Sequence, residues 1–185
     1  FVKHTPSGGY PMYRGKGKGD MTMNLSEMGF YGETGEINYE SSVTKFDKIL
    51  LLPKQAKGEV KSYDLAENAK YPEIHAVNAS LNWLPYDDKY SITQGKSPIK
   101  MFNFGYDFEG MVTQSPSKVI GDGLLRWDLA TFKSKEMVFA PKKAKVDVGE
   151  LTIFTADSTK IAFNSKNVHG TMDFAKRVGE FATNE

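Results

Sequence analysis

The chain contains no cysteine. That excludes a disulfide scaffold, a thiolate metal site, an iron–sulfur cluster and a thiol nucleophile. Histidine is scarce, with three in 185 residues. His4, His75 and His169 lie far apart, and none belongs to a metal-ligand spacing such as H-x-x-x-H. His75 and His169 are the only candidates for ligating a metal ion or haem iron. An ordinary hydrogen-bonded histidine is the better account of each, so no metal or other cofactor is expected.

Long apolar runs are missing too. The longest aliphatic run, Ile49-Leu50-Leu51-Leu52, is ended by Pro53 and falls far short of the roughly 20 residues that span a bilayer as a helix. An excess of one charge is also absent: 24 Lys and Arg face 23 Asp and Glu, a net charge of +1. Phosphate backbones need concentrated positive charge, so nucleic acid is not expected as a partner. The first residue is Phe, which points to a processed chain.

Catalytic motifs are equally thin. No G-x-S-x-G elbow occurs. The run Gly15-Lys16-Gly17-Lys18-Gly19 lacks the Ser or Thr that completes a P-loop. Asp87-Asp88 sits in a Pro-containing turn, and Glu33 and Glu36 flank glycines. Both read as solvated pairs rather than as carboxylates facing across a cleft. The chain is therefore expected not to be an enzyme.

What is present is aromatic side chain, 12 Phe and 9 Tyr, together with 17 Gly. That combination favours strands joined by tight turns. Residues 1–20, rich in Gly and Pro, read as a flexible or extended N-terminal segment. Residues 21–185 read as a single β-rich domain. Alternation marks strands at 21–25, 36–40, 43–52, 74–83, 90–93, 124–132, 135–140, 145–154 and 160–164, with a last strand over 168–174. Residues 64–70 carry good helix formers and suggest one or two helical turns, stopped by Pro72. Phe174, Val178 and Phe181 are spaced i, i+4, i+7, the face of a short C-terminal helix. The fold class expected is all-β: an antiparallel barrel or sandwich of about nine to eleven short strands, capped by that helix.

The most informative segment is 99–112, read as one strand. Phe102, Phe104, Tyr106 and Phe108 then share one face at period two, and Met101 lies on the other. Such a stripe packs either against a solid protein core or against an apolar ligand. Candidate ligand-binding residues are Phe102, Phe104, Tyr106 and Phe108, with Met101 and Trp127 nearby. Lys133, Lys135, Lys142, Lys143 and Lys145 form a local basic cluster, a candidate contact for an anionic membrane surface or a protein partner. The alternative is that these lysines guard sheet edges.

Part of the chain resembles the YceI-like family. Lys70-Tyr71-Pro72 leading into a strand is similar to that family's KYP stretch. Gly95-Lys96-Ser97-Pro98-Ile99 is similar to its next turn, and Leu124-Leu125-Arg126-Trp127-Asp128 to its late strand. The match covers about a third of the chain; the family's N-terminal strand with its histidine is not evident, and some 50 residues follow Lys133 where fewer are expected. Residues 121–174 also resemble the open β-jellyroll proteins of lipopolysaccharide export. Both likenesses imply a β-scaffold, lipocalin-like in the first case, that shelters an apolar ligand such as a polyisoprenoid-type lipid. The expected function is therefore an extracytoplasmic, periplasmic or secreted, binding or transport module for an elongated lipid-like molecule. The alternative is a structural or surface-interaction protein, an assembly subunit or adhesin, with a solid aromatic core.

Overall fold

The fold is described from a computed structural model, which covers residues 16–24 and 28–184. The expected lead-in lies outside the described residues as far as residue 15. All described regular structure is β: β1 (Lys16–Asn24), β2 (Gly29–Tyr39), β3 (Ser42–Leu51), β4 (Ala56–Leu65), β5 (Ile74–Leu84), β6 (Lys89–Thr93), β7 (Ile99–Met101), β8 (Tyr106–Gln114), β9 (Val119–Trp127), β10 (Ala130–Ala140), β11 (Lys143–Phe154), β12 (Ile161–Asp173) and β13 (Val178–Thr183). Every pairing is antiparallel, and the order follows the chain, with β6 and β7 together filling one position between β5 and β8.

Three expectations need correction. The strands number 13 rather than nine to eleven. No helix forms at the C-terminus: residues 174–177 are a turn and 178–183 are β13. The turn resets the strand phase, so the i, i+4, i+7 spacing places Phe174 in the core, Phe181 half-buried and Val178 in solvent. Residues 64–70 hold no helical turn either; Asp64 and Leu65 end β4 and a loop follows.

Most strands are interrupted near the middle, and the interruptions line up. Register shifts fall at Lys18/Asp20 in β1, at Phe46 in β3, at Ser134/Met137 in β10 and at Val146/Gly149 in β11. Left-handed or positive-φ residues fall at Thr34 in β2, Asn78 in β5, Gly110 in β8, Gly123 in β9 and Asn167 in β12. The loop 94–98 divides β6 from β7 at the same level. The pairings put these sites side by side: Glu33 opposite Lys48, Val60 opposite Ala79, Gly110 opposite Gly123, Gly123 opposite Ser134, Gly149 opposite Val168. Bulges bend strands, so a line of them is a crease. Twelve strand positions at about 4.8 Å make that crease roughly 55 Å long.

The crease folds the sheet onto its own apolar face. One layer, called upper, carries the connections 40–41, 66–73, 102–105, 128–129 and 155–160. The lower layer carries 52–55, 85–88, 115–118, 141–142 and 174–177. Aromatic contacts run between the layers: Tyr39 stacks on Tyr90 at 4.8 Å, Phe102 meets Phe174 at 4.5 Å and Phe139 at 6.1 Å, Trp127 meets Phe174 at 5.5 Å, and Phe132 stacks on Phe181 at 5.2 Å. In each pair the upper residue sits over a strand two to five places further along the sheet.

Gly123 shows what the crease demands. Its φ is +156°, and a Cβ there would stand 2.1 Å from the Glu109 carbonyl oxygen. Gly105 also has positive φ but faces open space. Gly105→Ala is expected to cost about 1 kcal/mol, the ordinary penalty for that backbone. Gly123→Ala is expected to cost at least about 2 kcal/mol more, because backbone must move. Denaturant midpoints for the two variants check this; equal losses would remove the crease argument.

Candidate functional site

Inward-facing residues form continuous rows across the sheet. In the lower layer one row runs Met23–Phe30–Leu51–Ala56–Trp83–Tyr90–Gln114–Val119–Phe139–Ala144–Met172, each residue the register partner of the next. Leu51 through Met172 are buried, whereas Met23 and Phe30 are 49% and 45% exposed. The upper row runs Tyr39–Ser42–Leu65–Ile74–Met101–Tyr106 and resumes at Trp127–Ala130–Ile153–Phe163. Here the order reverses. Tyr39 to Met101 are buried, Tyr106 and Trp127 are half-buried, and Ile153 and Phe163 are 38% and 50% exposed.

The stagger of the layers explains both gradients. Among the described residues the first lower strands have no upper strand above them, and the last upper strands have no lower strand beneath. Two apolar shelves result, at opposite ends of the molecule and on opposite layers. The lower shelf deepens into a cavity of about 220 Å³ lined by Met21, Ile37, Phe46, Ile49 and Leu51, with Lys18 at its rim. The upper shelf adds Ile161, 61% exposed, to Ile153 and Phe163.

The predicted site residues divide between core and shelf. The segment 99–112 is not one strand: β7 ends at Met101, and a turn over 102–105 with positive φ at Phe102 and Gly105 precedes β8. Met101, Phe102 and Phe108 are core residues. Phe104 projects from the turn, 41% exposed, and touches Tyr106 at 5.6 Å. Phe102, Tyr106 and Trp127 all meet Phe174. That hub was hidden in the supposed helix. Trp127 leads directly into the upper shelf through its partner Ala130. The indole N–H of Trp127 is buried without an acceptor in hydrogen-bonding geometry.

The lysine cluster is of mixed sign. Lys142 pairs with Glu67 at 3.2 Å, Lys143 with Asp173 at 3.6 Å and Lys145 with Asp147 at 3.1 Å, while Lys133 stands opposite Glu150. These lysines lie on β10, β11 and their turn, not on an outermost strand. The histidines have separate partners: His75 Nδ1 is 2.5 Å from Asp64 Oδ1, and His169 Nδ1 is 2.5 Å from Asn184 Oδ1. Among the described residues no three His, Asp or Glu side chains group as a metal site. In the turn after β11, hydroxyl and amide donors from Thr155 and Thr159 hold the Asp157 carboxyl down at about 2, which is turn chemistry.

Between the layers lies a buried tyrosine cluster. Tyr63 donates to Gln114 Oε1 at 2.9 Å, and Tyr90 donates to Thr44 Oγ1 at 2.7 Å. Burial pushes both phenols well above their usual range. Comparison with protein-family models, with curated proteins and with solved structures finds no match. The site defines a class by its geometry alone: a creased antiparallel sheet with a filled centre and two open apolar shelves.

The tyrosines set a pH limit. In the folded state Tyr63 and Tyr90 hold their protons above pH 10, whereas unfolded tyrosine ionises near 10. Their contribution is complete below pH 10 and is lost as pH rises beyond it. The thermal midpoint is expected to fall as pH rises above 10, and less steeply in Tyr63→Phe/Tyr90→Phe. More phenolate absorbance in the parent than in the double variant before unfolding would contradict this.

Proposed function

We propose that the protein is a non-enzymatic binding or transport module for an elongated, lipid-like apolar ligand, working outside the cytoplasm in the periplasm or as a secreted protein. The observation that carries this is the upper row, which runs from buried Met101 to half-buried Tyr106, is bridged by Phe174 to half-buried Trp127, and continues to exposed Ile153 and Phe163. A shelf continuous with the core offers an acyl or isoprenoid chain one surface already in hydrophobic register. Each buried CH₂ contributes about 0.8 kcal/mol, so about ten methylenes yield roughly the 8 kcal/mol of micromolar binding before ordering costs. The YceI-like resemblance, with its KYP stretch at Lys70-Tyr71-Pro72, supports the same ligand class. The ligand position moves from the face first expected, since Met101, Phe102 and Phe108 are covered by protein, to Phe104, Tyr106, Trp127 and the shelf beyond. The lysines at 133, 135, 142, 143 and 145 offer contact with an anionic membrane surface or a protein partner.

Organic extraction of the purified protein followed by mass spectrometry is expected to release a lipophilic molecule. Ile153→Asp/Phe163→Asp is expected to weaken binding of a lipophilic dye at least tenfold. An empty protein that binds no such dye overturns the reading.

A second reading, an assembly subunit, is favoured by the solid centre and by two sheet edges, β1 and β13, that pair with no further strand among the described residues. With twelve positions alternating in direction, β1 of one copy laid beside β13 of another is antiparallel. Matching the creases then puts Met21 beside Phe181. Light scattering should then show concentration-dependent growth that Met23→Lys abolishes; a monomer at all concentrations excludes it.

A further inference from the structure

The two shelves are separated by the filled centre, so a ligand long enough to use both must pass between the layers. Opposite the crease the layers have a mouth, where upper and lower connections meet. The loop 66–73 spans it. Tyr71 donates from its hydroxyl to the Ser115 carbonyl at 2.8 Å, Lys70 Nζ donates to the Pro116 carbonyl, and Lys142 Nζ pairs with Glu67 Oε1 at 3.2 Å. Ser115 and Pro116 belong to the β8–β9 turn and Lys142 to the β10–β11 turn, both of the lower layer.

The loop is folded within itself. Asn68 Oδ1 accepts from the amides of Lys70 at 2.8 Å and Tyr71 at 3.0 Å, and the Asn68 amide donates to the Tyr71 carbonyl at 3.1 Å. Its base is tied to the aromatic turn by the Phe102 amide, which donates to the Glu73 carbonyl at 2.7 Å. It therefore carries the means to move as a unit. Its hold on the lower layer is two side-chain bonds to carbonyls, one ion pair and a single aromatic anchor, the Tyr71 ring, which is buried in the core. The ion pair is half-satisfied, since Glu67 Oε2 is buried without a partner, and a carboxylate oxygen left so offsets much of what the pair contributes.

We propose that residues 66–73 are a strap that opens separately from the rest of the fold, parting the mouth above Phe102, Phe139 and Phe174 while the crease stays closed. Local opening of this kind is drawn from segments whose ties are mostly exposed and polar, as at residues 66–70, and it must release the buried Tyr71 ring as it opens. The use of the strap, admitting an elongated apolar ligand between the shelves, rests on the binding function proposed above; the opening itself does not.

The cysteine-free chain makes the test direct. Ala144→Cys places a thiol at the mouth, beside Phe139 and two residues from Lys142, and Ala79→Cys places one at the crease, beside Val60. Both alanines are buried. With a small thiol reagent under native conditions, Lys142→Met and Tyr71→Phe are each expected to speed labelling at 144 at least tenfold and to change labelling at 79 less than twofold. Parallel acceleration at both sites overturns the strap, because the whole fold is then opening; no acceleration at either overturns it as well. Lipophilic dye uptake is measured on the same variants. Faster labelling at 144 without faster or greater dye uptake leaves the strap standing and overturns the ligand reading.

Discussion

Everything in this molecule depends on a single sheet having to cover its own apolar face. No helix among the described residues and no second sheet is there to do it. Twelve strand positions expose more inward-facing side chain than a flat sheet can tolerate in water, so the sheet bends at mid-strand and closes on itself. The bend costs backbone strain, concentrated at Gly110, Gly123 and the left-handed non-glycine residues Thr34, Asn78 and Asn167. Burial of more than thirty apolar side chains offsets it.

A folded sheet cannot lie in register with itself. Neighbouring strands rotate by roughly 20–25°, so the two halves of one strand diverge as they leave the crease, and an upper half settles over a lower strand further along. Tyr39 above Trp83 and Tyr90, Tyr63 bonded to Gln114, and Phe132 above Phe181 all record the same displacement. The displacement has a necessary cost: whatever the layers gain in the middle they leave uncovered at the ends. The shelves are thus products of twist and not of local sequence. Both rows are apolar apart from Ser42 and Gln114, and only position decides that Leu51 is buried while Phe30 is not.

Much of this was legible from alternation. Ile37 with Tyr39 follows period two and falls where that period puts it. The strand from Ile74 does so only as far as Ala76, because left-handed Asn78 shifts the buried face to Ala79, Leu81 and Trp83. The run from Val43 to Leu52, read from its aliphatic content, slips in the same way between Phe46 and Ile49. The aromatic excess foretold a core joined by ring contacts. Two features escaped for physical reasons. Phe102-Asn103-Phe104-Gly105 keeps the alternation of a strand while its backbone turns, because a left-handed Phe has no signature in composition. Phe174, Val178 and Phe181 mimic a helix because a four-residue turn between two strands shifts the phase by the amount a helical period would. The crease was legible only in part: glycines marked it at 110 and 123, but the bulges at Phe46 and Ser134 depend on pairing across strands, which a single segment does not encode. Four of the six site candidates, Phe102, Phe104, Tyr106 and Phe108, were chosen as one face, and the turn at 102–105 distributed them between core and shelf.

The filled centre bears directly on how the two functional readings compete. A hollow barrel would hold its ligand in a preformed cavity and pay little to admit it. Here Phe102, Phe108, Phe139 and Phe174 already occupy the middle, packed ring on ring, and a ligand that displaced them would forfeit contacts as large as those it made. Net binding energy is therefore available chiefly where protein does not already cover protein, on the shelves. A ligand confined to one shelf gains from one layer only, while one that bridges both must first separate the layers. The place to do so is the mouth, where the ties are between side chains, polar at Glu67, Lys70 and Lys142 and aromatic at Tyr71, Phe102 and Phe174, and not the crease, where the ties are backbone. That asymmetry in what holds the two edges of the fold makes the mouth the side from which the interior yields.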